Sequence, residues 1–250
     1  MKLVLAIAAL SVLLATAAHA DPALPRVLAV PTAWMPPPGA VVATAGIDRH
    51  AAMTADLDIG LGRLASVEVG LDSDSRGCTA CSEPTSLSLG RAAFRMGARQ
   101  NALFRGAPAL VLGFRTTFSA HGHEFGEARV SDAYVVASSV YGPVRAHLGG
   151  QVTEAAFGDR TVHMKPRASA LAGLEWTPSI YPRTTLLADV AWAPQFSPTE
   201  IELEWLAGWG VRYQAFSWGS IELAVRHRQD EGLPQSDVMV RLNGVFAGRK

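Results

Sequence analysis

Thr199 to Tyr213 reads TEIELEWLAGWGVRY. Every second residue from Ile201 is apolar, giving Ile201, Leu203, Trp205, Ala207, Trp209, Val211 and Tyr213. Between them stand Glu200, Glu202, Glu204, Leu206, Gly208, Gly210 and Arg212. A helix would scatter the glutamates and tryptophans around its circumference, whereas a strand sends alternate side chains to opposite faces. The pattern predicts a strand with one apolar and one mostly charged or glycine face. Strands of globular proteins usually run about 5 to 6 residues, and a tilted strand crossing a bilayer needs about 9 to 11. This stretch is long enough to span, and its aromatic residues gather towards one end, as at a membrane interface.

The same alternation recurs along the chain from Gly39. Met53, Ala55, Leu57, Ile59 and Leu61 are followed by Ala65, Val67, Val69 and Leu71, with a tight hairpin at Gly62-Arg63-Leu64 between them. Further copies centre on Leu112, Leu148, Ala172, Val190, Leu223 and Val240, and weaker ones cover Ala40 to Asp48, Ser86 to Arg99 and Glu127 to Val140. About twelve strands follow, an even number of the kind membrane barrels use. The connections alternate as well. Gly62-Arg63, Gly142-Pro143, Pro178 to Arg183 and Gln214 to Gly219 are short or turn-like. Ser73 to Thr85, Ala120 to Gly126, Glu154 to Pro166 and Gln229 to Ser236 are more polar and often longer.

Ahead of the strands, a basic head at Lys2 leads into an apolar run from Leu3 to Ala17, closed by Ala18-His19-Ala20. This is the pattern of a secretory signal peptide over residues 1–20, with an A-x-A cleavage site. Residues 21–38 hold much of the proline, which suits neither helix nor central strand. They read as an extended periplasmic lead-in, with a plug as the alternative. Residues 39–246 form one barrel domain on this reading, and 247–250 a short tail. The 22 basic residues balance the 22 acidic ones, which argues against a nucleic-acid partner. Charged residues make up only 18% of the chain, sparse for a soluble protein.

With its signal peptide, alternating spans, asymmetric connections and a last strand ending on Phe246, the chain resembles the bacterial outer-membrane β-barrel proteins over residues 39–246. The resemblance implies an all-β, antiparallel up-and-down transmembrane barrel in the outer membrane of a Gram-negative envelope. It also implies partners in outer-membrane lipid and the barrel-assembly machinery, and a porin-like transport role. Such proteins typically finish on the aromatic residue, whereas here Ala247-Gly248-Arg249-Lys250 follows it. The resemblance therefore reaches no subfamily. A secreted soluble sandwich or lipocalin-like barrel would also alternate, with its apolar face turned inward. Its core would need large residues in the middle of that face, where this sequence often places alanine and glycine.

By strand parity the lumen is lined by Asp56, Asp58, Glu68, Asp72, Glu175, Asp189, Glu200, Glu202, Glu204 and Glu222. Facing them are Arg91, Arg95, Arg99, Arg115, Arg145, Arg167, Arg212, Arg226, Arg228 and Arg241. A barrel of about twelve strands lies between those filled by side chains and those holding a water channel. The expectation is a narrow pore for small polar solutes, with a structural or ligand-binding barrel without transport as the alternative. Cys78 and Cys81 sit in one loop of an exported chain and are expected to form a disulfide. His121 and His123 lie in another loop on the same rim, but the spacing is too weak for a zinc assignment, and no cofactor or metal is expected. Ser119, His121, His123, Glu124 and Asp132 gather near that loop as the residues a rim hydrolase would use. Loops collect such residues by default, and the reading is of a protein that is not an enzyme.

Overall fold

The computed structural model describes residues 24–77, 85–119, 128–158 and 162–246. The described residues form fourteen strands. They are β1 (Val41–Asp48), β2 (Met53–Gly60), β3 (Ala65–Asp72), β4 (Arg76–Gly77), β5 (Thr85–Ser86), β6 (Leu89–Ala98) and β7 (Ala109–Ser119). Then come β8 (Ala128–Tyr141), β9 (Val144–Phe157), β10 (Val162–Trp176), β11 (Thr184–Phe196), β12 (Ile201–Phe216), β13 (Gly219–Arg228) and β14 (Asp237–Phe246). Leaving β4 and β5 aside, each strand runs antiparallel to the next in chain order, β4 and β5 pair antiparallel with each other, and β1 pairs with β14 from Val41↔Phe246 to Asp48↔Met239. The result is a closed, twelve-stranded, up-and-down barrel, as the count of alternating segments predicts.

Alternation sorts the side chains by solvent. Leu57, Val69, Phe94, Leu112, Val135, Leu148, Leu174, Val190, Val211, Leu223 and Val240 all stand exposed on the outer surface. So large a continuous apolar exterior belongs in lipid. Tyr141, Trp176, Tyr181, Tyr213 and Phe216 are exposed near the rim of short turns, where an aromatic girdle sits. That rim carries the Gly142-Pro143 turn between β8 and β9, and Gly142 takes a left-handed φ of 58° that a β-branched residue would resist. Strands β8 to β12 run 13 to 16 residues, against 8 in β1 to β3, so the wall is taller on one side.

The segment expected to be a periplasmic lead-in lies instead inside the barrel. Leu24, Val27, Leu28, Ala29, Val30 and Ala33 are all buried, and Val30 has no exposed surface. Arg26 and Pro31 bridge antiparallel, and Val27 N–H donates to Val30 O at 3.0 Å, so the segment doubles back as a tight hairpin. Its apolar residues pack on a stripe of the inner wall made by Ala109, Val111, Tyr134, Val136, Leu171, Ala191, Ala193 and Leu206. Burial of this apolar surface is the physical reason the segment does not trail into water.

A second apolar cluster closes the loop rim, where Leu87, Leu89, Val130, Phe157, Met164, Phe196 and Ile201 meet and Leu203 packs against them. Ile201 and Leu203, expected on the lipid face, are therefore covered. The ladder between β10 and β11 is short, pairing only Ala172–Trp176 with Leu186–Val190. Beyond it, Gln195 and Phe196 of β11 pair in parallel with Arg76 and Gly77 of β4 instead.

Candidate functional site: a plugged, charged lumen

The inner wall opposite the apolar stripe is built of ion pairs. Arg91, on β6, meets Asp56, Glu68 and Asp72, with Asp72 at 2.6 Å. Arg95 pairs with Asp58, and Arg115 with Asp132 at 2.8 Å. Across the barrel, Glu222 receives Arg212 at 2.6 Å and Arg241 at 2.9 Å, while Glu175 lies 3.3 Å from Arg212 and 3.5 Å from Arg145. Nearer the loop rim, Arg226 holds Asp48 at 3.2 Å, and Glu204 sits between Arg76 and Arg228. Buried charges this dense persist only when each finds a partner, because an unpaired one costs several kcal/mol.

These charges also hold the hairpin. The Asp189 carboxylate accepts the backbone N–H groups of Leu28, Ala29 and Val30 at 3.0, 2.7 and 2.9 Å. Arg212 donates to the carbonyls of Arg26 and Val27, Arg241 to those of Val27 and Leu28, and Arg95 to that of Pro25. A peptide segment threaded through a barrel has no neighbouring strand to satisfy its backbone, so side chains of the wall do so. Arg26 returns a charge to the wall, 3.4 Å from Glu68. Lower down, Ser138 Oγ accepts Ala33 N–H at 2.8 Å and contacts His147 Nδ1 at 2.8 Å, with the Trp34 ring edge-on to His147. Two glycines make room. A Cβ at Gly173 would meet Val27 Cγ2 at 2.9 Å, and one at Gly208 would meet Asp189 Oδ1 at 2.5 Å and Leu28 Cδ1 at 2.9 Å.

Of the residues expected in the lumen, Asp56, Asp58, Glu68, Asp72, Arg91, Arg95, Arg115 and Arg145 project inward in this network. So do Glu175, Asp189, Glu204, Arg212, Glu222, Arg226, Arg228 and Arg241. Arg99, Arg167, Glu200 and Glu202 do not, because all four are exposed. Glu200 precedes β12, and Glu202 lies where β11 and β12 rise past the pore wall, so parity no longer means lumen there. The alternating glutamate row of the sequence thus contributes one lumen residue, Glu204. Sequence reasoning did not place Asp48, Arg76, Asp132, Ser138 and His147 in the lumen, and it gave a plug only as the alternative for the segment that forms the hairpin. The glycines of the charged face, Gly173 and Gly208, were the available signal of something bulky opposite them.

The remaining candidates are accounted for in part. Asp132 faces inward on Arg115 and Thr153, and Ser119 exchanges hydrogen bonds with the Ala128 backbone. The signal peptide, Cys78, Cys81, His121, His123, Glu124 and the tail 247–250 lie outside the described residues.

No protein-family model matches the chain, and no curated protein matches it by sequence. Solved structures do match in shape. The KdgM porin in complex with disordered oligogalacturonate superposes with a TM-score of 0.50 at 8% identity, covering 84% of this chain and 99% of that one. Its fold is that of the bacterial outer-membrane barrels. The NanC porin gives 0.49 at 7% identity over 84% and 100% of the two chains. Outer membrane phospholipase A from Escherichia coli gives 0.43 at 8% over 86% and 98%. With the apolar girdle, this fold places the protein in a cell outer membrane, in contact with its lipid.

Proposed function

We propose that the protein is a narrow, plugged pore that passes small polar solutes when the hairpin around Arg26–Pro31 leaves its place. The observation that carries this reading is the dual use of the lumen charges. The same wall that pairs Arg with Asp and Glu also binds the hairpin backbone through Asp189, Arg212 and Arg241. A wall of charge suits hydrated solutes, and rings of charged side chains set which of them enter. A plug held by hydrogen bonds to such a wall is removable without breaking any strand pair. The porin names among the structural neighbours agree with transport, and the phospholipase among them marks that enzymes use the same fold class. Assembly through the barrel-assembly machinery, with Phe246 as the terminal aromatic, belongs to the same reading.

The test is conductance in a planar bilayer. The folded mature protein should show a small or rarely opening conductance, and a variant lacking residues 24–35 a larger and steadier one. Silence from both, with heat-modified gel mobility confirming folded barrels, would leave a structural barrel without transport.

A further inference from the structure

Arg26 reaches from the hairpin to the acid-rich side of the lumen. Its guanidinium lies 3.4 Å from Glu68, 3.8 Å from Asp72 and 3.7 Å from Asp74. Glu68 and Asp72 stand on the inner face of β3 with Gly70 between them on that face, so no side chain keeps their carboxylates apart. The cations of this wall are few for its acids. Among the described residues, the six carboxylates of Asp48, Asp56, Glu68, Asp72, Asp74 and Asp132 share three wall arginines, Arg91, Arg115 and Arg226. Elsewhere in the lumen the ratio is reversed, with Glu175, Glu204 and Glu222 meeting Arg76, Arg145, Arg212, Arg228 and Arg241. Arg26 is therefore a cation that the plug brings to the side short of cations, and takes away when it leaves.

Its fit there is loose. A guanidinium carries five N–H donors, and its bonds to carboxylates settle at about 2.7 to 2.9 Å. Among the described residues that of Arg26 makes one side-chain hydrogen bond, to Glu68 at 3.4 Å. The backbone on either side is clamped, by Thr32 N–H on Pro25 O at 2.9 Å and Val27 N–H on Val30 O at 3.0 Å, so the tether holds the head short of close contact. Asp58 lines the same cavity as Arg26 and Glu68, and its Oδ1 is buried without a hydrogen-bond partner among the described residues.

We propose that Glu68, Asp72 and Asp74 form a binding site for solutes bearing a guanidinium group, which Arg26 fills from the plug as a built-in competitor. This names the solute class of the plugged pore and rests on that reading for the ligand's way in. A free guanidinium needs only the volume that the Arg26 head vacates, so no larger cavity has to stand ready. Its planar fork meets two carboxylates at once, which the point charge of an ammonium does less well. No group of three or more His, Cys, Asp or Glu among the described residues is set to hold a metal ion. An anion arriving here would meet the acid excess instead.

The experiment is calorimetric titration of the folded barrel in detergent micelles with ethylguanidinium chloride, beside neutral N-ethylurea of nearly the same shape, at fixed ionic strength. Arg26→Ala empties the site without touching a strand. It should bind ethylguanidinium about tenfold more tightly than the wild type, where Arg26 competes. N-ethylurea should give no saturable heat with either. Adding Glu68→Gln and Asp74→Asn to Arg26→Ala should abolish the binding while heat-modified mobility shows a folded barrel. No binding to Arg26→Ala, equal affinity in it and the wild type, or saturable binding of N-ethylurea would overturn the site, and none of these arms alters the wall. Binding retained by the folded triple variant would overturn it as well. Conductance separates this from the pore reading, since ethylguanidinium should raise the opening frequency of the wild-type barrel several-fold. Tight binding to Arg26→Ala beside unchanged wild-type conductance would uphold the site and overturn the pore alone.

Discussion

Asp189 accepts the backbone N–H of Ala29 at 2.7 Å inside the barrel, from a residue 160 positions earlier in the chain. Its neighbours Leu28 and Val30 donate to the same oxygen. Three donors converging on one carboxylate oxygen form a nest for negative charge, here made by the plug and filled by the wall. Asp189 thus gathers three of the backbone donors of the hairpin, beside the bonds that Arg212 and Arg241 give to its carbonyls.

Asp189→Ala orphans three backbone donors, and a buried unsatisfied polar group costs about 1 to 3 kcal/mol. The barrel pairs are untouched, so the hairpin should leave while the strands remain. Trypsin added to the intact folded barrel should then cut after Arg26 in the variant and spare that bond in the wild type. Equal protection in both would show that the apolar packing of Val27, Val30 and Ala33 holds the plug without Asp189.

The lipid face is tested at Leu223, which is 57% exposed on β13. Leu223→Arg should cost about 2 to 4 kcal/mol near the midplane, because hydrocarbon cannot solvate the charge. Leu223→Phe should cost little. Urea titrations of folding into vesicles read the difference, and equal midpoints would place this face in water.

Arg91 carries three carboxylates, Asp56, Glu68 and Asp72, and is itself fully buried. Arg91→Leu leaves those acids without their shared cation, although Arg26 and Arg115 still lie within 3.4 to 3.8 Å of Glu68 or Asp72. Breaking a buried pair from one side costs about 3 to 5 kcal/mol. The variant should unfold at lower urea, and Asp56→Asn in the same chain should recover part of the loss. Without such recovery, the effect of Arg91 would come from packing and not charge.

The barrel was legible because each of its strands obeys a period of two over most of its length, and closure needs only that pattern and an even count. Lumen charges such as Glu222 and Arg212 were legible for the same reason. The plug was legible only as an alternative to a lead-in, because Pro25 to Gly39 has no periodicity and its hydrogen bonds run to residues far along the chain. The clue lay on the charged face, where Leu206, Leu171, Val111 and Val136 break the polar pattern at the stripe on which the hairpin packs. Glu200 and Glu202 misled because alternation continues past the height at which a strand still lines the lumen. Above Glu204, β11 is capped by β4, and Ile201 turns into the apolar cluster under that cap.

Glu204 is the one member of the glutamate row that reaches the lumen, and it does so between two arginines. Arg76 approaches one carboxylate oxygen and Arg228 Nη1 lies 2.9 Å from the other, all three side chains being buried near the loop rim. Glu204→Gln keeps the shape and removes the negative charge, leaving Arg76 with Glu231 at 3.1 Å and depriving Arg228 of its ion-pair partner. In a narrow path the local potential follows such single charges. In the variant lacking residues 24–35, which should open the path, Glu204→Gln should therefore move the reversal potential in a salt gradient towards anions. Glu202→Gln, two residues away but exposed to water, should not move it, because salt screens an exposed charge over about 10 Å at 0.1 M. An equal shift from both would mean that the rim and not the lumen filters solutes. No shift from Glu204→Gln, with a lower urea midpoint, would make the Arg76–Glu204–Arg228 group a brace of the wall.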